Sequence, residues 1–250
     1  MTATDNIVSA SLKVGLAASG TLALTWAAAP SAMAQGKAAL MPAHDPFNGF
    51  SLGLGASVDR FNTTASDYAY FGGLFSDGLK GIGGFGTAEI GKDFRFGNLV
   101  LGIYGEYSFG HKSDTFNRDV VGSVDSYNLN GSLRLGTEHS VTGRLGVIVN
   151  PQSLVYGIFG YSWQNYAATV STSSADYGGY SSTYSRKGTL GGLTMGIGGE
   201  MMVNNDWSIK GEYRFTRLAG VSGFGFFDAG MATDKVEDHT FRAVLSFKPH

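Results

Sequence analysis

Residues 99–109 read Leu99-Val100-Leu101-Gly102-Ile103-Tyr104-Gly105-Glu106-Tyr107-Ser108-Phe109. Large apolar side chains alternate here with small or polar ones, so that Leu99, Leu101 and Ile103 share a phase that Gly102 and Glu106 do not. Successive side chains of a β-strand point to opposite faces. The stretch therefore predicts a strand whose two faces lie in different environments.

The same alternation recurs along much of the chain. In residues 207–215, for example, Lys210, Glu212 and Arg214 all share the face opposite the aromatic one. We predict eight strands by this test, at about 49–60, 83–95, 98–110, 130–149, 153–166, 189–203, 206–217 and 238–248.

The connections between these strands alternate in length. Tight turns are predicted at 96–97, 150–152 and 204–205, whereas the connections at about 61–82, 111–129, 167–188 and 218–237 are long. Short periplasmic turns and long outer loops are typical of outer-membrane barrels. The sequence thus predicts an all-β, closed antiparallel eight-stranded transmembrane β-barrel, with both ends of the strand array on the periplasmic side.

The segment 130–149 allows a second interpretation. The intervening Thr137-Glu138-His139-Ser140 contains no glycine or proline to turn the chain, and the odd positions on both sides of it include Leu133, Leu135, Val141, Leu145, Val147 and Val149. We therefore predict one long strand with unbroken phase. The alternative is a hairpin at this point, which would make a barrel of ten strands.

The first residues predict an export signal. Lys13 precedes an uncharged apolar stretch at 14–26, and Ala32-Met33-Ala34 forms a small-residue cleavage site before Gln35. The apolar stretch is shorter than the roughly 20 residues of a membrane-spanning helix. The predicted organisation is a cleaved signal at 1–34, a short periplasmic lead at 35–47 and the barrel at 48–250.

Composition excludes several classes of protein. The chain has 38 glycines, 15% charged residues, a formal net charge of −2 and no cysteine. The charge argues against nucleic-acid binding, and the absence of cysteine excludes disulfides and thiolate metal sites.

Aromatic residues near strand ends favour a membrane barrel over a water-soluble β-sandwich, which would also alternate. In a barrel the apolar face meets lipid and aromatic girdles mark both interfaces. The girdle candidates are Phe94, Phe96, Phe109, Tyr161, Trp163, Trp207, Tyr213, Phe215 and Phe247.

The opposite face carries isolated charges that would point into the lumen. An eight-stranded barrel is only wide enough for its side chains to fill, so opposite charges should pair there. We predict an ion-pair network that plugs the barrel; the alternative is a narrow, charge-lined ion path. The predicted lumen charges, five acidic and five basic, are Glu89, Glu106, Arg134, Glu138, Arg144, Glu200, Lys210, Glu212, Arg214 and Arg242.

Motifs that resemble enzyme sites do not fit a strand. His139 points opposite to Glu138 and Ser140, so these three cannot form a catalytic triad. The glycine-rich residues 81–86 open a strand rather than the helix that a dinucleotide fingerprint requires. We predict no enzymatic activity, no cofactor and no metal site.

Five segments resemble the porin-family surface proteins with an OmpA-like eight-stranded barrel, which are common as immunogenic outer-membrane proteins of alphaproteobacteria. They are residues 47–55, 142–146, 154–161, 205–213 and 239–242. The chain departs from that pattern by ending Phe247-Lys248-Pro249-His250 rather than on an aromatic residue, and by a longer fourth strand.

The resemblance implies a monomeric structural barrel of the outer membrane that supports envelope integrity. Its expected partners are outer-membrane lipid, lipopolysaccharide and the outer-membrane assembly machinery, with no nucleic acid. The alternatives are a narrow porin for ions or small solutes, and a ligand or adhesion module that acts through its loops.

Overall fold

A computed structural model describes residues 45–66, 79–121, 126–174, 179–220 and 232–249. The predicted signal peptide, its cleavage site at Ala34 and Gln35, and most of the lead lie outside these residues. No helix in the described ranges is long and apolar enough to cross a membrane. The strands are β1 (Gly49–Ser66), β2 (Lys80–Phe96), β3 (Leu99–Val121), β4 (Ser126–Asn150), β5 (Ser153–Ser174), β6 (Tyr180–Met202), β7 (Trp207–Ala219) and β8 (Ala232–Phe247).

The eight strands form a closed antiparallel barrel. Each strand pairs with its neighbours in sequence, and β1 pairs with β8, with Leu52 opposite Phe247. The predicted fold class is confirmed. Because β4 runs without interruption from Ser126 to Asn150, the ten-stranded alternative is wrong.

Short turns connect the strands at one end of the barrel, as the sequence predicts. Gly97 has a φ of +64° in the β2–β3 turn, a conformation that glycine adopts without steric cost. In the β4–β5 turn the Asn150 carboxamide oxygen accepts a hydrogen bond from the Gln152 N–H at 2.9 Å. Asn204 does the same for the N–H groups of Asp206 and Trp207. These local bonds fix the turns that set the strand registers.

The sheet is apolar on its outer face and polar on its inner face, which is the reverse of a soluble protein. Leu54 is 71% exposed and Ile197 66% exposed on the outside, whereas Lys210 is 1% exposed on the inside. An apolar surface of this kind belongs against lipid, and the polar face belongs in the lumen.

At the other end, much of the chain that was predicted to form long connections belongs to the strands. β3, β4, β5 and β6 extend beyond their predicted limits, so that β5 runs to Ser174 and β6 begins at Tyr180. Polar pairs hold these extensions together on the exposed face, including Ser171 with Thr183 at 2.9 Å. The extensions lack the apolar alternation that marks a lipid-facing strand, which is why the sequence prediction ended the strands early.

The alternation of inward and outward side chains in β4 is interrupted where the sequence predicts that it continues. The register between β4 and β5 shifts between Leu135 and Glu138. Leu135 is consequently fully buried inside the barrel, while Val141, also at an odd position, is exposed. An extra residue in a β-bulge moves every following side chain to the other face.

Arg134 is the residue whose predicted position this bulge overturns. It was assigned to the lumen by the unbroken phase, but its side chain is exposed on the outside of the barrel. Its neighbours Leu133 and Leu135 are the ones that point inward.

Closure of the barrel predicts heat-modifiable migration. Extracted protein run on a denaturing gel without boiling should migrate faster than the boiled protein, because a closed hydrogen-bonded ring resists unfolding by detergent. Identical mobility of boiled and unboiled samples would contradict the closed barrel.

Candidate functional site

The centre of the lumen is occupied by charges from opposite sides of the barrel. Glu106, on β3, accepts hydrogen bonds from Arg214 on β7 at 2.7 Å and from Arg242 on β8 at 3.2 Å. The hydroxyls of Ser140 and Thr142, on the neighbouring strand β4, donate to the same carboxylate at 2.7 and 3.2 Å. Every described partner of this carboxylate is therefore a donor.

Glu212 lies beside Glu106 and shares its two arginines. The Nε of Arg214 donates to Glu212 at 2.9 Å and Nη2 of Arg242 at 2.6 Å. The Tyr156 hydroxyl donates to the other carboxylate oxygen at 2.8 Å. Two guanidinium groups thus balance two carboxylates, and the arrangement of bidentate, charge-assisted bonds is geometrically specific.

A second layer lies closer to the periplasmic end and is centred on Arg144. Its guanidinium donates to Asp93 at 2.9 Å and to Glu200 at 2.7 Å. Its planar group also lies 4.8 Å from the ring centres of both Tyr104 and Tyr156. Arg144 therefore has carboxylates at its edge and aromatic rings at its faces, an environment that suits guanidinium better than ammonium.

Lysines pair with several of the remaining carboxylates, whereas Asp59 accepts a hydrogen bond from the Ser57 hydroxyl at 3.1 Å. Lys248 lies 2.9 Å from Glu200, and Lys210 lies 2.5 Å from Glu89. Towards the outer end, Lys112 pairs with Asp238. The fully buried charges of the described barrel are seven carboxylates and six cations, so the lumen is close to neutral.

Apolar side chains fill the lumen on both sides of these charges. The outer apolar cluster contains Phe61, Leu79, Leu133, Leu135, Tyr166, Ala168, Leu190, Leu218 and Val236. The periplasmic apolar cluster contains Phe47, Val100, Leu154, Tyr156, Ile158 and Met202. The charges are consequently enclosed between two apolar layers.

Most of the predicted lumen charges come together in this network. They are Glu89, Glu106, Arg144, Glu200, Lys210, Glu212, Arg214 and Arg242. Glu138, opposite Gln164 of β5, interacts with Lys112 and with the buried Ser162 hydroxyl in the outer part of the lumen, and Arg134 faces outward.

Several lumen charges were missed by the sequence analysis. Asp93 and Asp238 share the inward phase of Glu89 and Arg242, so the signal was present in the alternation. Asp59, in the first predicted strand, and Lys248, at the end of the eighth, also share the inward phase, whereas Lys112 lies outside the predicted strands. No group of His, Asp and Glu residues in the described ranges is arranged to hold a metal ion.

The aromatic residues predicted to form girdles lie on the outside, one group at the periplasmic ends of the strands and the other further along them. At the periplasmic end the rings of Trp207 and Phe247 are 5.1 Å apart, and Lys92 lies 5.2 Å from the ring of Phe94. At the outer end the Tyr161 and Trp163 rings are 4.8 Å apart. The other predicted members at the outer end are Phe109, Tyr213 and Phe215.

Comparison with known proteins agrees with this architecture. The family model described as outer membrane protein beta-barrel domain matches residues 19–248. The 31 kDa outer-membrane immunogenic protein of Brucella melitensis is 27% identical over 211 residues, which cover 77% of this chain and 86% of that protein.

Two solved structures are among those similar to this chain. Ail, the attachment invasion locus protein of Yersinia pestis, has 16% identity and a TM-score of 0.36, covering 80% of this chain and 99% of that one. Neisserial surface protein A has 17% identity and a TM-score of 0.37, covering 81% of this chain and 98% of that one.

Replacing Arg144 by leucine should destabilise the barrel strongly, because Asp93 and Glu200 would lose the closer of the two buried cations that they share, the other being Lys248. The expected loss is about 3–5 kcal/mol in the free energy of unfolding, measured by urea titration in lipid vesicles. The matched control is Arg95→Leu, which breaks the half-exposed Arg95–Asp45 pair at 2.8 Å and should cost about 1 kcal/mol or less. Equal losses in the two variants would contradict the structural importance of the buried network.

Proposed function

Because this chain belongs to the outer membrane protein beta-barrel domain family, whose model matches residues 19–248, we propose that it is a structural barrel with a closed lumen. It resides in the outer membrane of a Gram-negative cell envelope. We expect the outer-membrane assembly machinery to insert it, and we expect it to act as a monomer that contributes to envelope integrity.

The apolar clusters on both sides of the paired lumen charges are the observation that carries this proposal. An ion entering from outside would first meet the outer apolar cluster, where Phe61 and Leu135 are fully buried. It would then have to displace paired charges such as Arg214 and Glu106 before meeting the periplasmic apolar cluster. Apolar constrictions oppose the passage of hydrated ions, and broken buried pairs are costly.

The geometry also supports a role without catalysis. The His139 ring lies outside the barrel, 4.9 Å from the ring of Tyr107. Ser140 points inside, where its hydroxyl donates to Glu106. These two groups lie on opposite faces of the sheet and cannot exchange a proton directly.

Planar-bilayer recordings test the closed lumen. The wild-type barrel, with its folded state established by heat-modifiable migration, should show no stable conductance steps in a bilayer where an open porin conducts. Stable steps that disappear in Glu106→Gln or Arg144→Gln would show that ions follow the charged path, and the narrow-porin function would replace the one proposed.

A second candidate function, binding through the outer hairpin of β5 and β6, is favoured by one observation. The exposed face of this hairpin carries hydroxyl pairs, with Thr169 and Ser185 3.1 Å apart and Ser171 and Thr183 2.9 Å apart. Serine and threonine hydroxyls provide adaptable hydrogen bonding at recognition surfaces.

Deletion of residues 171–182 tests this second function, because it removes the end of the hairpin and leaves the lumen network intact. Cells producing the shortened barrel should adhere less to epithelial cells than cells producing the complete barrel, with equal amounts of folded protein in both. Unchanged adherence would eliminate the hairpin as a binding surface.

A further inference from the structure

On the outer surface of β7, β8 and β1, apolar residues are followed by basic ones one step, that is two residues, closer to the outer end. Going toward the outer end, Val58 is followed by Arg60 and Phe215 by Arg217 on the same face. On β8, which runs the other way, Phe241 is followed by His239. Two residues of strand span about 6.6 Å, so the basic groups lie directly above the lipid-facing aromatic row.

Strand register gathers these basic groups into one patch. Arg60 is opposite His239, and His239 is in turn opposite Phe215. Arg217 is opposite Glu237, and Lys235 lies two residues beyond Glu237 on the same face of β8. Directly opposed residues of an antiparallel pair have Cα atoms about 4.5–5.5 Å apart. We define the interfacial basic patch as Arg60, Arg217, Lys235 and His239.

The patch keeps cationic groups available for an external anion. Glu237, the carboxylate that the described residues place beside the patch, forms an ion pair with Lys235 at 2.7 Å. Arg60 and Arg217 are both exposed, and neither is within ion-pair distance of a carboxylate in the described part of the chain. With Lys235 and Glu237 balancing each other, the two arginines leave the patch positively charged.

His239 is positioned to add a neutral donor. Its Nδ1 lies 2.8 Å from the Tyr213 hydroxyl, and its ring is 5.2 Å from that of Phe215. If the tyrosine donates to Nδ1, the ring proton is on Nε2, away from that bond. The imidazole can then donate a hydrogen bond beside the guanidinium of Arg60.

The opposite side of the barrel has no such patch at the same step. Above Trp163 on β5 comes Asn165, whose side chain donates to Thr137 at 2.7 Å and accepts from Thr189 at 2.9 Å. These neutral groups satisfy one another. At this step the basic groups therefore lie on the side formed by β7, β8 and β1, and the exposed Arg134 of β4 lies further out.

We propose that the interfacial basic patch binds the phosphate groups of a phosphorylated glycolipid in the outer leaflet. The patch faces lipid rather than the lumen and lies where the apolar surface ends, which is the height of the headgroups. Arginine presents paired N–H donors that match phosphate oxygens. The lipid-facing rings of Tyr213, Phe215 and Phe241 lie below it, where the acyl chains of the same molecule would run.

Native mass spectrometry of the folded barrel in detergent tests this assignment. The probes are bisphosphorylated lipid A, the same lipid A with both phosphates removed, and phosphatidylglycerol. The wild-type barrel should retain bisphosphorylated lipid A in preference to the other two. The double variant Arg60→Gln/Arg217→Gln should bind it at least about tenfold more weakly, because each lost guanidinium removes charge-assisted bonds to phosphate.

The matched control is Arg134→Gln, which removes an exposed, outward arginine from β4 outside the patch. This variant should retain lipid A as the wild type does. Unchanged binding by the double variant, or equal retention of dephosphorylated lipid A by the wild type, would overturn the proposal. Equal retention of phosphatidylglycerol would also overturn it, since the patch would then be a general anionic-lipid contact.

The comparison with dephosphorylated lipid A uses the wild-type protein, so it tests the proposal even if the double variant folds poorly. Heat-modifiable migration of each variant separates a loss of binding from a loss of the barrel. A closed lumen is not required for this binding, and conductance would not bear on it.

Discussion

The demand that every backbone N–H and C=O group be hydrogen-bonded within lipid governs this structure. A sheet satisfies that demand only when it has no edge, and here the pairing of β1 with β8 removes the edge. Once the ring is closed, every second side chain must enter a narrow lumen and every other one must meet lipid. The apolar outside and the polar inside are both consequences of closure.

A narrow lumen makes charge balance necessary. Water cannot solvate the buried groups freely, so the carboxylates at the centre of the lumen are stabilised by cations at hydrogen-bond distance. The pairs join strands that are distant around the ring, as when Lys210 of β7 reaches Glu89 of β2 and Arg144 of β4 reaches Glu200 of β6. Such links form only when the registers are correct. These ion pairs therefore stabilise the complete barrel rather than any single hairpin.

The outside of the barrel is differentiated as well. Aromatic rings mark both ends of the apolar band, with Trp207 and Phe247 at one end and Tyr161 and Trp163 at the other. One step beyond the outer row, the side formed by β7, β8 and β1 carries basic groups, whereas β5 carries neutral groups that bond to their neighbours. The backbone of such a barrel is alike all the way round, but the side chains that it presents to lipid differ from one side to another.

Alternation and connection length in the sequence determined the strand number, the closed fold and the inward phase of residues such as Glu106, because a strand has a period of two whatever its partners. Only the tertiary structure decided which charges meet, since pairs such as Lys210 and Glu89 lie far apart in sequence. It also decided the position of Arg134, because the bulge between Leu135 and Glu138 arises from pairing with β5. A bulge changes the face of the residues that follow, and nothing local in the sequence marks it.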